Sequence, residues 1–234
     1  MKKLISAILM VSFVLLLCGC QKTGDKTGLH SSIDVVSSQD ETESIKYDKE
    51  LYIDVDPADL TDEQARVMMK VFIDKQFELF FLFTDYNDEA LDYTQVCSFD
   101  EKYVLLKDER FTCVQDIRDY VLEVMTEEAA KRIYFDNYLD GPYDLSQGAT
   151  NRYIDYEGKL YCSTHSGGKG FNRKLLPETS HIVERTENSV KIEMKTLFGY
   201  DTDDGWIYTP VLVKTKDGWR IDSDLDDGYY SDLN

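Results

Sequence analysis

Ser189-Val190-Lys191-Ile192-Glu193-Met194-Lys195-Thr196-Leu197-Phe198 sets apolar side chains against charged ones at every second place. Successive side chains of a strand point to opposite faces, so Val190, Ile192, Met194 and Phe198 predict a dry face, and Lys191, Glu193 and Lys195 a wet one. The same two-residue period predicts strands at Tyr153–Tyr156, Lys159–Ser163, 181–186, 207–215 and 219–222. Glu157-Gly158, Glu187-Asn188, Asp204-Gly205 and Asp217-Gly218 supply turn chemistry between them.

Upstream of Tyr153 the period is helical. Thr61 and Gln64 have capping-box spacing, and Met68, Val71, Phe72, Leu79 and Phe83 make the apolar stripe of a helix running to about Phe83. Its end, from Phe77 to Phe83, is apolar almost all round and is expected to be buried on several sides. Residues 92–99 and 103–107 predict a hairpin around Asp100-Glu101-Lys102. Thr112, with Gln115 as reciprocal partner, is expected to cap a second helix whose inward residues are Ile117, Val121, Val124 and Met125. Thr126-Glu127-Glu128 opens a third helix through about Phe135, which Asp140-Gly141-Pro142 breaks. Helices first and strands after predict an α+β fold, N-terminal helices packed on an antiparallel β-meander.

The first residues belong to a different kind of segment. Lys2-Lys3 precede a mostly apolar run from Leu4 to Leu17, the charged start and short apolar stretch of a secretory signal, too short for a membrane span of roughly 20 residues. Leu17-Cys18-Gly19-Cys20 resembles the bacterial lipobox, which makes residues 1–19 a lipoprotein signal peptide and Cys20 the lipidated first residue of the mature chain. Two acyl chains at about 0.8 kcal/mol per buried methylene give a stable anchor. Residues 20–44, rich in Ser, Thr, Asp, Lys and Gly, read as a lipidated cysteine and flexible linker, and residues 45–234 as one extracytoplasmic domain held at a bacterial membrane.

Without residues 1–19 the chain carries 24 basic and 45 acidic residues, a formal charge of −21. That excludes nucleic acid and anionic surfaces as natural partners and favours a basic protein. Cys97, Cys113 and Cys162 remain after Cys20, an odd number and so not a complete disulfide framework.

Three constellations have a chemical reading. Cys113 at a helix start, with His165 and His181 downstream, has the residue types of a thiol nucleophile but no local nucleophile motif. Cys162-Ser163-Thr164-His165 has the spacing of half a zinc site, which Cys97 and Cys113 would have to complete. Asp222, Asp224, Asp226, Asp227 and Gly228 resemble a calcium loop, but the glycine comes one place late and Leu233 stands where a Glu is required, so an exposed acidic tail is the better account. No phosphate-binding glycine motif, serine elbow or dinucleotide fingerprint occurs, and neither an enzyme nor a cofactor is expected. Thr164-His165-Ser166-Gly167-Gly168-Lys169-Gly170-Phe171 is a pliant loop in which Gly167, Gly168, Lys169 and Phe171 are candidates for partner contact, the last two as a charge and an anchor.

From Phe111 onward the order of features resembles the IseA family of extracytoplasmic inhibitors of peptidoglycan DL-endopeptidases. The resemblance is carried by Phe111-Thr112 with the helix at 113–125 and by Met125-Thr126-Glu127-Glu128-Ala129-Ala130. It continues through Tyr156-Glu157-Gly158-Lys159-Leu160-Tyr161 into Gly167-Gly168, and ends at Lys216-Asp217-Gly218-Trp219-Arg220-Ile221, so it covers roughly the last 120 residues. It implies a non-enzymatic protein that occupies the substrate groove of NlpC/P60-type cell-wall endopeptidases, and so a basic autolysin as partner. A lipidated Cys20 departs from the plain secreted pattern and would confine such inhibition to the membrane. The alternative is a ligand- or signal-binding lipoprotein of cystatin- or NTF2-like fold, with the sheet and the Phe77–Phe83 helix lining a pocket.

Overall fold

The computed structural model describes residues 54–84, 88–141, 151–164, 171–199 and 201–231, all within one unit, Lys46–Asn234. The leader, Cys20, the linker and the Gly167-Gly168-Lys169 segment lie outside the described residues. The architecture is α+β: helices and two antiparallel sheets.

Helix α1 (Asp62–Thr84) starts where its capping box requires: the Thr61 amide donates to Gln64 Oε1 at 2.9 Å, and the Gln64 amide donates to Thr61 Oγ1 at 3.3 Å. Met68, Phe72, Leu79 and Phe83 are buried, as the stripe predicts. The end of α1 is less enclosed than its composition suggests, because Phe81 is 50% exposed.

Helix α2 (Val114–Val124) begins one residue later than the sequence spacing predicts, with Cys113 as N-cap and Asp116 as reciprocal partner. Charge decides this. The Asp116 carboxylate accepts from the Thr112 amide and hydroxyl, both at 2.7 Å, and from the Cys113 amide at 3.2 Å, while Gln115 turns away to Asp119. A carboxylate at a helix start is a stronger acceptor than a carboxamide and also meets the positive end of the dipole.

Thr126 caps α3 (Glu127–Ala130), accepting from the Ala129 amide at 3.2 Å. The helix does not stop near Phe135 but widens into a π-helical stretch, Lys131–Leu139. Asn137 Nδ2 donates to the carbonyls of Arg132 and Ile133 at 2.9 and 3.0 Å, so a side chain occupies acceptors that the wider winding leaves underused.

The first sheet runs β1 (Leu91–Val96), β2 (Tyr103–Leu106), β4 (Lys159–Ser163), β3 (Tyr153–Tyr156), in that spatial order. The turn joining β3 to β4 places Glu157 and Gly158 at φ 48° and 74°, the left-handed pair of a two-residue hairpin. The second sheet is built around β7 (Ser189–Phe198). One edge of β7 pairs with β5 (Arg173–Leu175) and β6 (His181–Arg185), and the other with β8 (Trp206–Tyr208) and β9 (Val211–Thr215). Strand β10 (Gly218–Ile221) flanks β9, and β11 (Gly228–Tyr230) flanks β8.

Because β7 takes partners on both sides, the strands are not laid down in chain order as a simple meander would be. Strands β5 and β11 are additions to the sequence reading, and the stretch 207–215 divides at Thr209-Pro210, where proline has no amide to give a ladder.

One continuous apolar cluster draws on both sheets and all the helices, with Val104, Cys162 and Tyr153 from the first sheet and Val190, Ile192, Met194 and Leu212 from the second. A smaller cluster of Cys97, Tyr103 and Tyr161 lies on the opposite face of the first sheet. Distant segments of the chain meet around α2. At its start the Val114 amide donates to Asp155 Oδ1 on β3 at 3.0 Å. At its end Met125 bridges to Ile221, and Arg220 Nε donates to the Leu122 carbonyl at 2.7 Å.

Candidate functional site

A cleft of about 620 Å³ opens among the described residues. Its floor is aromatic: Phe80 near the end of α1, Tyr134 and Tyr138 from the π-helical stretch, and Phe171. Phe171 meets Phe77 edge-on at 5.2 Å and Phe80 at 6.3 Å. Tyr134 stacks on Phe83 at 4.5 Å, and burial pushes its hydroxyl pKa up, with the charge of Asp224 adding to the shift. A fixed floor of this kind loses little side-chain entropy when something settles on it.

Two polar walls rise from that floor. One is the π-helical face with Arg132, Ile133 and Asn137. Rings closed between residues five apart bring such residues nearly above one another, so π winding places Arg132 over Asn137 and Ile133 over Tyr138 on the cleft side. The other wall is the turn Asp224, Asp226 and Asp227 that leads into β11. The turn is held by the Asp224 amide donating to Asp227 Oδ2 at 2.8 Å, and by the Leu225 amide donating to Asp224 Oδ1 at 2.7 Å. Burial raises the Asp224 pKa above its ordinary value of 3.8; the Leu225 amide opposes the shift, Asp226 and Asp227 add to it, and Arg132 opposes it.

A smaller hollow of about 290 Å³ lies between α1 and α2 and makes a useful contrast. Its charges are already matched: Arg110 pairs with Asp108 at 2.7 Å, and the Tyr120 hydroxyl donates to Glu78. In the larger cleft, Arg132 and the aspartates face the same space without an ion pair between them.

The sequence-based candidates are scattered. Gly167, Gly168 and Lys169 lie outside the described residues, as do Cys20 and His165. Phe171 is half-buried on α1, at the cleft. Cys97 and Cys162 lie in different clusters on opposite faces of the first sheet, and Cys113 caps α2, so the proposed zinc ligands do not converge. Cys97 and Cys162 are free thiols, and no group of acidic, cysteine or histidine side chains suited to a metal occurs among the described residues. Burial pushes the Cys162 thiol up to about 11, against reactivity. His181, on β6, has Glu193 at 3.7 Å and the Thr179 carbonyl at 3.4 Å as its neighbours, so it is engaged on its own sheet.

No protein-family model matches the chain, and comparison with curated proteins finds no match. Among the described residues no helix is long and apolar enough to cross a membrane. The cleft residues Arg132, Asn137, Asp224, Asp226 and Asp227 escaped the sequence reading, which took the first two for an ordinary third helix and its end, and the acids for a solvated tail. The available signal was Asn137, a poor helix former five places after Arg132.

Proposed function

We propose that this chain is a membrane-anchored extracytoplasmic lipoprotein that inhibits NlpC/P60-type peptidoglycan DL-endopeptidases by binding their active-site groove. The observation that carries the reading is the meeting of the IseA-like segments. The helix after Phe111-Thr112, the Met125–Ala130 segment and the Trp219-Arg220-Ile221 strand come from distant parts of the chain and are joined around α2 by named contacts, and Asp155, next to the Tyr156–Tyr161 hairpin, accepts from the Val114 amide at the start of α2. A surplus of acid suits a basic wall enzyme and would speed their encounter. Gly167, Gly168, Lys169 and Phe171 remain the proposed contact loop, with Cys20 as the anchor.

The test is peptidoglycan hydrolysis by a purified NlpC/P60 endopeptidase titrated with the full chain in detergent. Loss of hydrolysis at near-stoichiometric ratio supports the reading, and its disappearance on replacing Gly167–Lys169 would place the contact loop. Absence of inhibition across several such enzymes overturns it.

The second reading, a ligand- or signal-binding lipoprotein, is favoured by one observation: the aromatic-floored cleft with opposite charges on its two walls.

A further inference from the structure

We propose that the cleft between the π-helical face and the Asp224–Asp227 turn binds a small basic amino acid, with its carboxylate toward Arg132 and its ammonium groups toward the aspartates. The inference does not rest on the inhibitor reading and is tested without an endopeptidase.

The cleft has the size of a small-molecule site, about 620 Å³ against a usual range of roughly 300–1,000 Å³. Its aromatic floor offers π faces to aliphatic and cationic groups alike. What selects the ligand is charge placed but not used. Among the described residues, the Arg132 guanidinium makes no hydrogen bond and no ion pair, and the Asp226 carboxylate likewise makes none. Asp224 spends one oxygen on its own turn, and its second oxygen has no partner among the described residues.

A guanidinium and three carboxylates, Asp224 half-buried and Arg132, Asp226 and Asp227 exposed, border one cleft without an ion pair between them. A zwitterion spanning the gap satisfies both walls, which a simple cation or a simple anion does not. The surplus of carboxylates over the single guanidinium favours a second positive group on the ligand. Those requirements together describe a basic α-amino acid: one carboxylate, two cationic nitrogens, and a methylene chain to lie on Phe80, Tyr138 and Phe171.

The π winding has a role here. An α-helical continuation would turn Arg132 and Asn137 to different flanks, whereas five-residue stacking puts both on the cleft side. Asn137 is held by its two bonds to the carbonyls of Arg132 and Ile133, so that wall is stiff before any ligand arrives.

The experiment is calorimetric titration of the full chain in detergent with L-lysine, L-norleucine, cadaverine and a tetralysine peptide. L-lysine is expected to bind with Kd below about 1 mM. Norleucine, which lacks the terminal amine, and cadaverine, which lacks the carboxylate, are each expected to bind at least about tenfold more weakly, the scale of one charge-assisted contact. The variants give opposite signatures: Arg132→Ala weakens lysine yet tightens cadaverine, and Asp224→Asn weakens both. A variant that merely unfolds cannot tighten one ligand. Three results overturn the proposal: no lysine binding at about 10 mM, equal affinity for lysine and norleucine, or tetralysine binding without lysine binding, which would make the cleft a protein-docking surface.

Discussion

Gln76 sits on the apolar stripe of α1, four residues after Phe72 and three before Leu79, and is 2% exposed. Both ends of its carboxamide are bonded: the Tyr208 hydroxyl donates to Oε1 at 2.9 Å, and Nε2 donates to the Ser223 carbonyl at 2.8 Å. Replacing it with leucine keeps the volume and leaves both partners buried without a bond. Each such orphan costs about 1–3 kcal/mol, and burying a more apolar side chain returns about 1–2 kcal/mol, so Gln76→Leu should lose about 2–4 kcal/mol. Tyr208→Phe orphans only the carboxamide oxygen and should cost about 1–2 kcal/mol. In the double variant the hydroxyl and its acceptor vanish together, leaving only the Ser223 carbonyl; two orphan costs of about 1–3 kcal/mol each drop out, so the loss should fall at least about 2 kcal/mol short of the sum of the singles. The assay is urea unfolding of the full chain followed by the fluorescence of Trp206 and Trp219, the chain's two tryptophans, both on strands of the described fold. If the two substitutions add to within about 0.5 kcal/mol, the buried bond between helix and sheet does not exist in solution and the reasoning fails.

Four further outcomes are expected. At Gly228 an added Cβ would stand 2.3 Å from the Ile207 carbonyl oxygen and 2.8 Å from the Trp206 ring, so Gly228→Ala should lower stability by about 2–3 kcal/mol in the same unfolding assay. Gly158→Ala, which meets open space at φ +74°, should cost only about 1 kcal/mol. Burial would raise the Asp116 pKa, but the bonds from Thr112 and Cys113 outweigh it and hold the carboxyl below its ordinary value of 3.8. The unfolded chain therefore takes up that proton first, and the stability Asp116 confers is present above about pH 4 and lost on acidification through the lowered folded value. Asp116→Ala should cost about 1–2 kcal/mol at neutral pH, with the deficit shrinking in acid, as read by melting at stepped pH. Asp224 has the opposite sign: its raised pKa means the folded state holds the proton more tightly, so stability falls as pH rises from about 4 through the raised value. Asp224→Asn should remove that slope and gain on the wild type as pH approaches neutrality.

Strand β7 was legible because its pattern alternates for ten residues, and Val190, Ile192 and Met194 are buried as expected, whereas Phe198, expected on the same dry face, is 45% exposed at the strand's end. The α1 cap was legible because Thr61 and Gln64 interact within one turn. What escaped was decided by competition or by distance. Gln115 and Asp116 both had plausible capping positions, and charge settled it. The three residues of β11 have no pattern of their own and become a strand only because β8 lies alongside. Widening of the third helix follows from Asn137 reaching its own backbone, which periodicity does not register. The cleft joins residues about 90 positions apart, so a local reading gives a helix ending near Phe135 and an acidic tail at 222–228, each unremarkable alone.

Those two walls are tied at one joint. The Thr126 amide donates to the Ile221 carbonyl at 3.1 Å, and its hydroxyl accepts from the Ala129 amide while donating to Asp222. Thr126 thus starts the helix that becomes the Arg132 wall, and Asp222 stands two residues before the Asp224 wall, so a single threonine helps set how far apart the opposite charges stand. The same joint is where the IseA-like segments ending at Ala130 and Ile221 meet, beside the last turn of α2. A zwitterion drawing the walls together would therefore load the contacts that hold α2 in place. If the proposed inhibition holds, any ligand that prefers one separation of the walls would, by linkage, change the affinity of a partner that prefers another.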